Sequence, residues 1–213
     1  MYRILRVLSA LVVATAVAGC AAAGALVYTA SGEPTVPADY KPENRTTLVL
    51  VENYHNPALF QAASERLARD VAAQLKEHKV ASIVDPEKLI DFRSETGQQF
   101  RKMDITEVAR SLKARQVIYV DLVEFSVEQT TGSERIVGRG DAHVKVVDAD
   151  TGRTLWPPDV SVGHDVRYET SYAKDGDDTD HAAVREQLFQ KLGDKIATLF
   201  YAAPVDKVDG TEP

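Results

Sequence analysis

The sequence of 213 residues carries 25 basic and 32 acidic side chains, which gives a formal net charge of −7 at neutral pH. This charge argues against binding to nucleic acid or to an anionic lipid surface, because both depend on clustered Lys and Arg. Apolar residues make up 44% of the chain and charged residues 27%, which is enough apolar material to fill the core of one globular domain.

The N-terminal residues have the three-part layout of a secretory signal peptide. Two arginines give a positive start, an apolar run extends from Val7 to Val17, and two small residues precede the single cysteine, Cys20. The apolar run is shorter than the roughly 20 residues that a membrane-spanning helix needs. We therefore predict a leader over residues 1–19 that is removed from the mature protein.

The cysteine itself predicts a lipid anchor. Val17-Ala18-Gly19-Cys20 resembles the lipobox of bacterial lipoproteins, in which the cysteine thiol receives a diacylglycerol and becomes the new N-terminus. The resemblance implies that Cys20 is acylated, with palmitate among its chains, and that three acyl chains hold the protein to a bilayer permanently. Ala21 follows the cysteine, and in the resembling proteins this favours the outer membrane, on its periplasmic face.

Residues 20–45 are predicted to form the lipidated N-terminus and a flexible tether. They mix Ala, Gly, Ser, Pro and charged residues without a hydrophobic period, and a coil of this length spans roughly 25–30 Å. A single periplasmic domain is predicted over residues 46–203. The charged residues 204–213 are predicted to be a loose tail.

The first half of the predicted domain alternates strands and helices. The run from Thr46 to Val51 is apolar on both faces, which is typical of a central strand covered on two sides. Residues 58–78 place apolar side chains at every fourth position, which predicts an amphipathic helix. Further elements follow in chain order: a strand over 80–84, a short helix opened by Asp85-Pro86 and running through Phe92, and a helix over 104–114 with Asp104 and Glu107 close to a capping box.

The second half is richer in strands. A long strand is predicted over 116–127, and it returns after a turn at 130–133 as a strand over 135–147. The remaining predicted elements are a tight turn at 148–152 into a strand at 154–156, a strand over 160–168 and an amphipathic helix over 181–201. The whole order predicts an α+β fold: a mixed β-sheet with helices packed on it, a β-meander in the second half and a C-terminal amphipathic helix.

Several of these segments resemble one group of envelope lipoproteins. The strand ending in Val51-Glu52-Asn53, the stretch Ala109–Val120, and Val146–Trp156 with its Asp-x-x-Thr-Gly turn carry the resemblance, which extends over residues 46–201. The group comprises the curli secretion channel subunit, the Pel polysaccharide export lipoprotein, the activators of penicillin-binding proteins and the N-terminal domain of the Tol translocation protein. The resemblance implies a structural or assembly role, with self-association or a protein partner in the periplasm.

Motifs for catalysis or for cofactors are missing from the sequence. It has no nucleophile elbow, no P-loop and no dinucleotide fingerprint, and no two of its five histidines are four residues apart. We therefore expect no catalytic residues, no metal and no cofactor. Gly138 and Gly140 predict a bulge or a close contact within a strand, and Asp121 and Glu124 are predicted on opposite strand faces. The acidic loop 175–180 admits either calcium or favourable charge ahead of the last helix.

Three aromatic residues are candidates for contact with a partner: Trp156, Tyr168 and Tyr172. A core position at a strand end is the alternative for Trp156. The function indicated is that of a non-catalytic structural or assembly lipoprotein. A regulator that activates a peptidoglycan synthase is the alternative, although the tether is short for reaching the inner membrane, and an enzyme is the third hypothesis.

Overall fold

The computed structural model describes residues 34–53, 61–129, 135–159, 162–173 and 181–205. Val36–Pro213 is one compact unit, and it holds the main sheet and the helices. The helices are α1 (Gln61–Glu77), α2 (Pro86–Thr96), a 3-10 helix (Gly97–Lys102), α3 (Ile105–Ser111) and α4 (His181–Thr198). The strands are β1 (Thr35–Val36), β2 (Thr46–Glu52), β3 (Ser82–Ile83), β4 (Gln116–Gln129), β5 (Arg135–Asp148), β6 (Thr154–Trp156), β7 (His164–Ala173) and β8 (Ala203–Pro204).

Six strands form one mixed sheet in the order β3-β2-β4-β5-β6, and β7 also pairs with β5. Strand β2 is parallel to β3 and β4, whereas β5 is antiparallel to β4, β6 and β7. We call β3, β2 and residues 116–121 of β4 the parallel half, and residues 122–129 of β4, residues 135–142 of β5 and β7 the antiparallel half. A separate two-stranded sheet consists of β1 and β8. The predicted α+β class is confirmed.

The parallel half is covered on both faces. Helices α1 and α4 pack over one face, where Leu67, Val71 and Ile196 are fully buried. Helices α2 and α3 and the 3-10 helix cover the other face, with Leu89 and Phe100 in a second cluster. Each large apolar side chain buried in this way contributes about 1.5–3 kcal/mol. Coverage on two sides explains why β2 is apolar at consecutive positions, as the sequence predicts.

The antiparallel half is covered by α4 on one face. Glycines at 138 and 140 let this helix approach the sheet closely, since a Cβ added to Gly140 would lie only 2.9 Å from Cδ2 of Leu192. A Cβ on Gly138 would lie 3.1 Å from Cγ1 of Val184. The predicted close contact at these glycines is therefore confirmed. Within the described residues, no helix has an apolar run long enough to cross a bilayer.

The predicted helix starts are confirmed by their capping bonds. Asp85 precedes Pro86 and accepts a hydrogen bond from the backbone N–H of Glu87 at 3.2 Å. Asp104 and Glu107 form a full capping box, in which the Asp104 carboxylate accepts from the Glu107 N–H at 2.9 Å and Glu107 accepts from the Asp104 N–H at 3.0 Å. Such a cap is worth about 1 kcal/mol.

Some predicted boundaries are wrong. The strand predicted over 160–168 occurs at His164–Ala173. Its bounds are set by pairing with β5, which continues as far as Arg135, and they do not coincide with the apolar residues. The strand predicted over 80–84 is limited to Ser82–Ile83. Helix α2 continues past Phe92 to Thr96 and ends at Gly97, whose φ of 52° favours glycine. The predicted turn at 130–133 and the acidic loop 175–180 lie outside the described residues.

Residues 40–45, which the sequence assigns to the tether, make contacts with the domain. The backbone N–H of Tyr40 donates to the carbonyl of Leu199 at 3.0 Å. The Tyr40 ring stacks on Trp156 with 6.0 Å between ring centroids, and Arg45 pairs with Asp148 at 3.2 Å. This segment is therefore held to the end of α4 and to the β6 region.

Candidate functional site

A cavity of about 680 Å³ opens at the carboxyl end of β2. Its walls come from the end of β2, the start of α1, the last turns of α2, the 3-10 helix and the start of α3. In sheets with parallel strands and covering helices, ligands bind in the crevice outside the carboxyl ends of the strands. The topology of the parallel half thus creates the cavity at a place where binding sites form.

Glu52 enters the cavity from the last position of β2. The alternation of the strand directs it to the same face as Leu48 and Leu50, below the helices α2 and α3. The hydroxyl of Tyr119 donates a hydrogen bond to Oε1 of Glu52 at 3.1 Å. Burial raises the pKa of Glu52 above its ordinary value, and the bond from Tyr119 opposes this rise. The carboxylate is thus held in a position that disfavours its charge.

Arg93 enters from the last turn of α2, with only 16% of its side chain exposed. Its guanidinium lies over the ring of Phe100, with 4.7 Å from Cζ to the ring centroid. Nη1 is 3.8 Å from Oε1 of Glu65, which is an ion pair but too long for a hydrogen bond. Burial lowers the pKa of Arg93, against the attraction of Glu52 and Glu65. Arg93 therefore lines the cavity in a long ion pair with Glu65 that contains no hydrogen bond.

Ser64 and Asn53 complete the polar wall. Ser64 is 2% exposed, and its hydroxyl oxygen has no hydrogen-bond partner among the residues that the structure describes. Asn53 is buried and donates through Nδ2 to the carbonyl of Leu122 at 2.6 Å, which fixes the end of β2 against β4. An unsatisfied buried hydroxyl costs about 1–3 kcal/mol. The cavity lining thus combines two arginines, Arg93 and Arg101, with two carboxylates and a hydroxyl that has no partner among the described residues.

Our sequence interpretation did not find this site. Glu52, Ser64 and Arg93 lie far apart in the chain and form no motif. One signal was present, since Ser64 occupies the apolar face of α1, three residues before Leu67 and seven before Val71. A serine at such a position is either bonded to the backbone or available to a ligand.

The three aromatic candidates do not form one cluster. Trp156 is partly buried and packs against Tyr40, His164 and Phe200. On β5, Tyr168 pairs with Gly140 and Trp156 pairs with Val146. These two β5 positions are six residues apart. At 3.4 Å per residue this separates them by about 20 Å.

The remaining predicted site residues are placed only in part. Backbone pairing sets Tyr172 opposite Ile136, but the side chain of Tyr172 lies outside the description. Cys20 lies outside the described residues altogether. In the part of the chain that the structure describes, no group of three or more His, Cys, Asp or Glu side chains is arranged to hold a metal ion.

The placement predicted for Asp121 and Glu124 is wrong. Asp121 pairs with His143 and Glu124 pairs with Asp141, and these two β5 residues are two positions apart, on one face. The reason is a β-bulge between Leu122 and Glu124, which adds a residue to β4 and brings both carboxylates to the same side.

On the solvent face of the antiparallel half, side chains of β5 and β7 form ion pairs. Arg139 pairs with Glu169 at 3.1 Å and Arg167 pairs with Asp141 at 3.2 Å. Among the described strands β7 pairs with β5 alone, so it is an edge strand of ten residues. The candidate partner residues Tyr168 and Tyr172 both belong to this edge strand.

No protein-family model matches the chain, and no curated protein matches it. Solved structures that are similar include lipoprotein GNA1162 from Neisseria meningitidis, with 14% identity, a TM-score of 0.43 and coverage of 71% of this chain and 97% of that one. A PelC dodecamer from Paraburkholderia phytofirmans shows 17% identity, a TM-score of 0.39 and coverage of 80% and 94%. The hypothetical protein CT253 from Chlamydia trachomatis shows 13% identity, a TM-score of 0.38 and coverage of 71% and 95%. These similarities concern the fold, at low identity, and bacterial lipoproteins are among the proteins that show them.

Proposed function

We propose that this chain is a non-catalytic lipoprotein of the bacterial envelope that serves as a structural or assembly component of an export or biogenesis machine. Its anchor is the acylated Cys20, at the periplasmic face of the outer membrane, and the lipobox-like residues before Cys20 support this part. The observation that carries the assembly role is the ten-residue edge strand β7. The N–H and C=O groups of an edge strand that face away from the sheet can accept a further strand.

A second copy of the same chain fits this edge by charge. If two β7 strands pair in antiparallel orientation about Tyr168, each Arg167 lies opposite the partner subunit's Glu169. The side chains of Arg167 and Glu169 are 69% and 61% exposed, so they can reach across the new pair. Opposite charges at directly facing positions stabilise a strand pair by roughly 0.2–1 kcal/mol. We therefore propose self-association through β7.

The anchor is tested by Cys20→Ser, because only a thiol accepts the diacylglycerol. We expect wild-type protein to incorporate radiolabelled palmitate and to fractionate with the outer membrane. The Cys20→Ser variant should take up no label and leave the membrane fraction, with the thermal stability of the domain unchanged. Wild-type protein that takes up no label would contradict the anchor and the proposed location together.

Self-association is tested by Tyr168→Cys in the full-length, acylated protein. Directly opposed residues of antiparallel strands have Cα atoms about 4.5–5.5 Å apart, which is within the range for a disulfide. We expect oxidation of membranes to give a linked dimer. Val123→Cys is the matched control, since this β4 residue is 40% exposed and lies outside β7. It should remain a monomer.

A charge exchange sharpens the same test. Arg167→Glu places like charges opposite each other in the proposed pair and should lower the yield of linked dimer by about severalfold or more. Adding Glu169→Arg restores opposite charges across the proposed pair and should recover part of the dimer, because Asp141 and Arg139 of β5 then face like charges within each subunit. Dimer formation that is unchanged by Arg167→Glu, or equal linking by Val123→Cys, would overturn the proposed edge pairing.

A further inference from the structure

We propose that the cavity at the end of β2 binds a small zwitterionic ligand, such as an amino acid or a short peptide, with its carboxylate on Arg93 and its ammonium group on Glu52 and Glu65. The cavity is separated from β7 by β4 and β5 in the sheet order. Ligand binding there is therefore independent of the proposed edge pairing, and the two proposals fail or succeed separately.

The size and the lining of the cavity suit a small molecule. Its volume of about 680 Å³ lies within the range of roughly 300–1,000 Å³ that is common for such sites. Leu50, Ile90 and Met103 provide part of the apolar wall, and nine of the sixteen lining residues are polar or charged. Apolar contacts in such a cavity give affinity and the polar groups fix the orientation of a ligand, and a lining this polar suits a charged one.

Arg93 is the group that selects a carboxylate. A guanidinium carries five N–H donors in a planar fork that matches a carboxylate in two parallel hydrogen bonds. The described contacts of Arg93 are the 3.8 Å ion pair with Glu65 and the Phe100 ring, and neither is a hydrogen bond. The Phe100 ring holds the plane of the guanidinium in place. A ligand carboxylate would supply the hydrogen bonds that the neighbouring side chains do not.

The two carboxylates select an ammonium group. Glu52 and Glu65 both line the cavity close to Arg93, and Oε1 of Glu65 already accepts one hydrogen bond, from Gln61 at 3.1 Å. A ligand with a carboxylate alone would add a negative charge beside Glu52 and Glu65, whose charges already balance those of Arg93 and Arg101 in the lining. A ligand that also carries an ammonium group leaves the total charge unchanged and gives Glu52 a partner that favours its ionised form.

Ser64 is an independent sign that the cavity is built for a ligand. Its hydroxyl is buried in the cavity wall, and within the described part of the chain it has no hydrogen-bond partner. Alanine at this position of α1 would avoid the unsatisfied hydroxyl and would favour the helix. The serine is therefore unfavourable for stability in the empty protein, and a ligand that bonds to the hydroxyl would remove this cost.

The ligand class is tested on the full-length protein in detergent, by thermal shift and calorimetry. The probes are the common amino acids and the dipeptide Ala-Ala, at about 10 mM. We expect at least one probe to raise the Tm by about 2–4 °C. Its N-acetylated and its C-amidated forms, which each lack one charge, should bind at least about tenfold more weakly. The absence of a shift with every probe, or equal binding of the blocked forms, would overturn the proposal.

Substitutions locate the site. Arg93→Met should abolish binding of the best probe, and Arg93→Lys, which keeps the charge but loses the fork, should weaken it by about tenfold or more. Arg110→Met is the matched control, because this exposed arginine of α3 does not line the cavity. It should bind as wild type does. Unchanged binding by Arg93→Lys and by Arg93→Met would contradict the assignment.

Ser64→Ala separates a ligand site from a purely structural serine. We expect this variant to bind the probe more weakly while its Tm without ligand rises. Ser111→Ala is the control for helix propensity, since Ser111 is an exposed helical serine whose hydroxyl donates to the carbonyl of Glu107 at 2.9 Å. A fall in the Tm of ligand-free Ser64→Ala, with probe binding unchanged, would assign the serine to structure alone.

Discussion

The two halves of the sheet use the same strand β4 in different ways. In the parallel half, residues 116–120 are buried at consecutive positions, because helices cover both faces. In the antiparallel half, from Leu122 onward, one face meets α4 and the other carries charged side chains in solvent. The sequence of β4 reflects this change in helix coverage. Where both faces are covered its residues are apolar in a continuous run, and where one face is open apolar and polar residues alternate.

The difference also separates two kinds of surface. The helices that cover the parallel half leave a cavity at its end, in which Ser64 is buried and the side chains of Arg93 and Glu65 are only 16% and 19% exposed. The open face of the antiparallel half carries ion pairs whose side chains are exposed. This half is bounded by the edge strand β7. We therefore place the proposed small ligand in the first region and the proposed strand pairing in the second.

The largest expected effect comes from a core truncation in the parallel half. Leu50→Ala removes a side chain that is 1% exposed beneath the helices α2 and α3, and it should lower the free energy of unfolding by about 3 kcal/mol. Val123→Ala in the antiparallel half, where the side chain is 40% exposed, should change it by less than about 0.5 kcal/mol. Urea denaturation measures both, and equal losses would show that the two halves are not covered differently.

A smaller effect is expected from Glu52→Gln, and it depends on pH. Burial raises the pKa of Glu52 above the ordinary value of 4.5, so the folded state favours the protonated form. The stability from this group is complete below its unfolded pKa and is lost as the pH rises through the raised folded value. Glutamine keeps an acceptor for Tyr119 and avoids the buried charge. We expect a gain on the order of 1 kcal/mol at neutral pH that vanishes well below pH 4.5.

Glu169→Gln is the control for this pH dependence. Its side chain is 61% exposed on the solvent face of β7, so its neutralisation should give no comparable gain at neutral pH. Thermal unfolding of both variants between about pH 3 and pH 8 measures the difference. A gain for Glu52→Gln that persists at low pH would contradict burial of charge as the cause.

The smallest effect is expected from the charged face. Arg139→Ala removes the ion pair with Glu169, in which the side chains are 48% and 61% exposed, and should cost less than about 0.5 kcal/mol. The cost should fall further as salt is added, because exposed pairs are screened. Denaturation at low and high salt measures this. A loss above about 1 kcal/mol that is insensitive to salt would mean that this face is buried in the protein as it exists in solution.

The sequence by itself determined the order of the longer elements, the α+β class, and the starts of α2 and α3, but it did not indicate β1, β8 or the 3-10 helix. The features that it determined depend on interactions within a few residues: the apolar period of a strand or helix, and the capping bonds of Asp85 and Asp104. It also indicated either a bulge or a close approach at Gly138 and Gly140, and the packing of α4 decided for the close approach.

Only the tertiary structure decided which distant residues meet. The cavity brings Glu52, Ser64 and Arg93 together because three helices cross one end of the parallel half, and no local pattern encodes that convergence. The bulge in β4 that turns Glu124 to the face of Asp121 depends on pairing with β5. Strand β7 extends past its apolar residues because its backbone forms hydrogen bonds with β5. Such bonds are made by the main chain of any residue, so the side chains of β7 do not show where the strand ends.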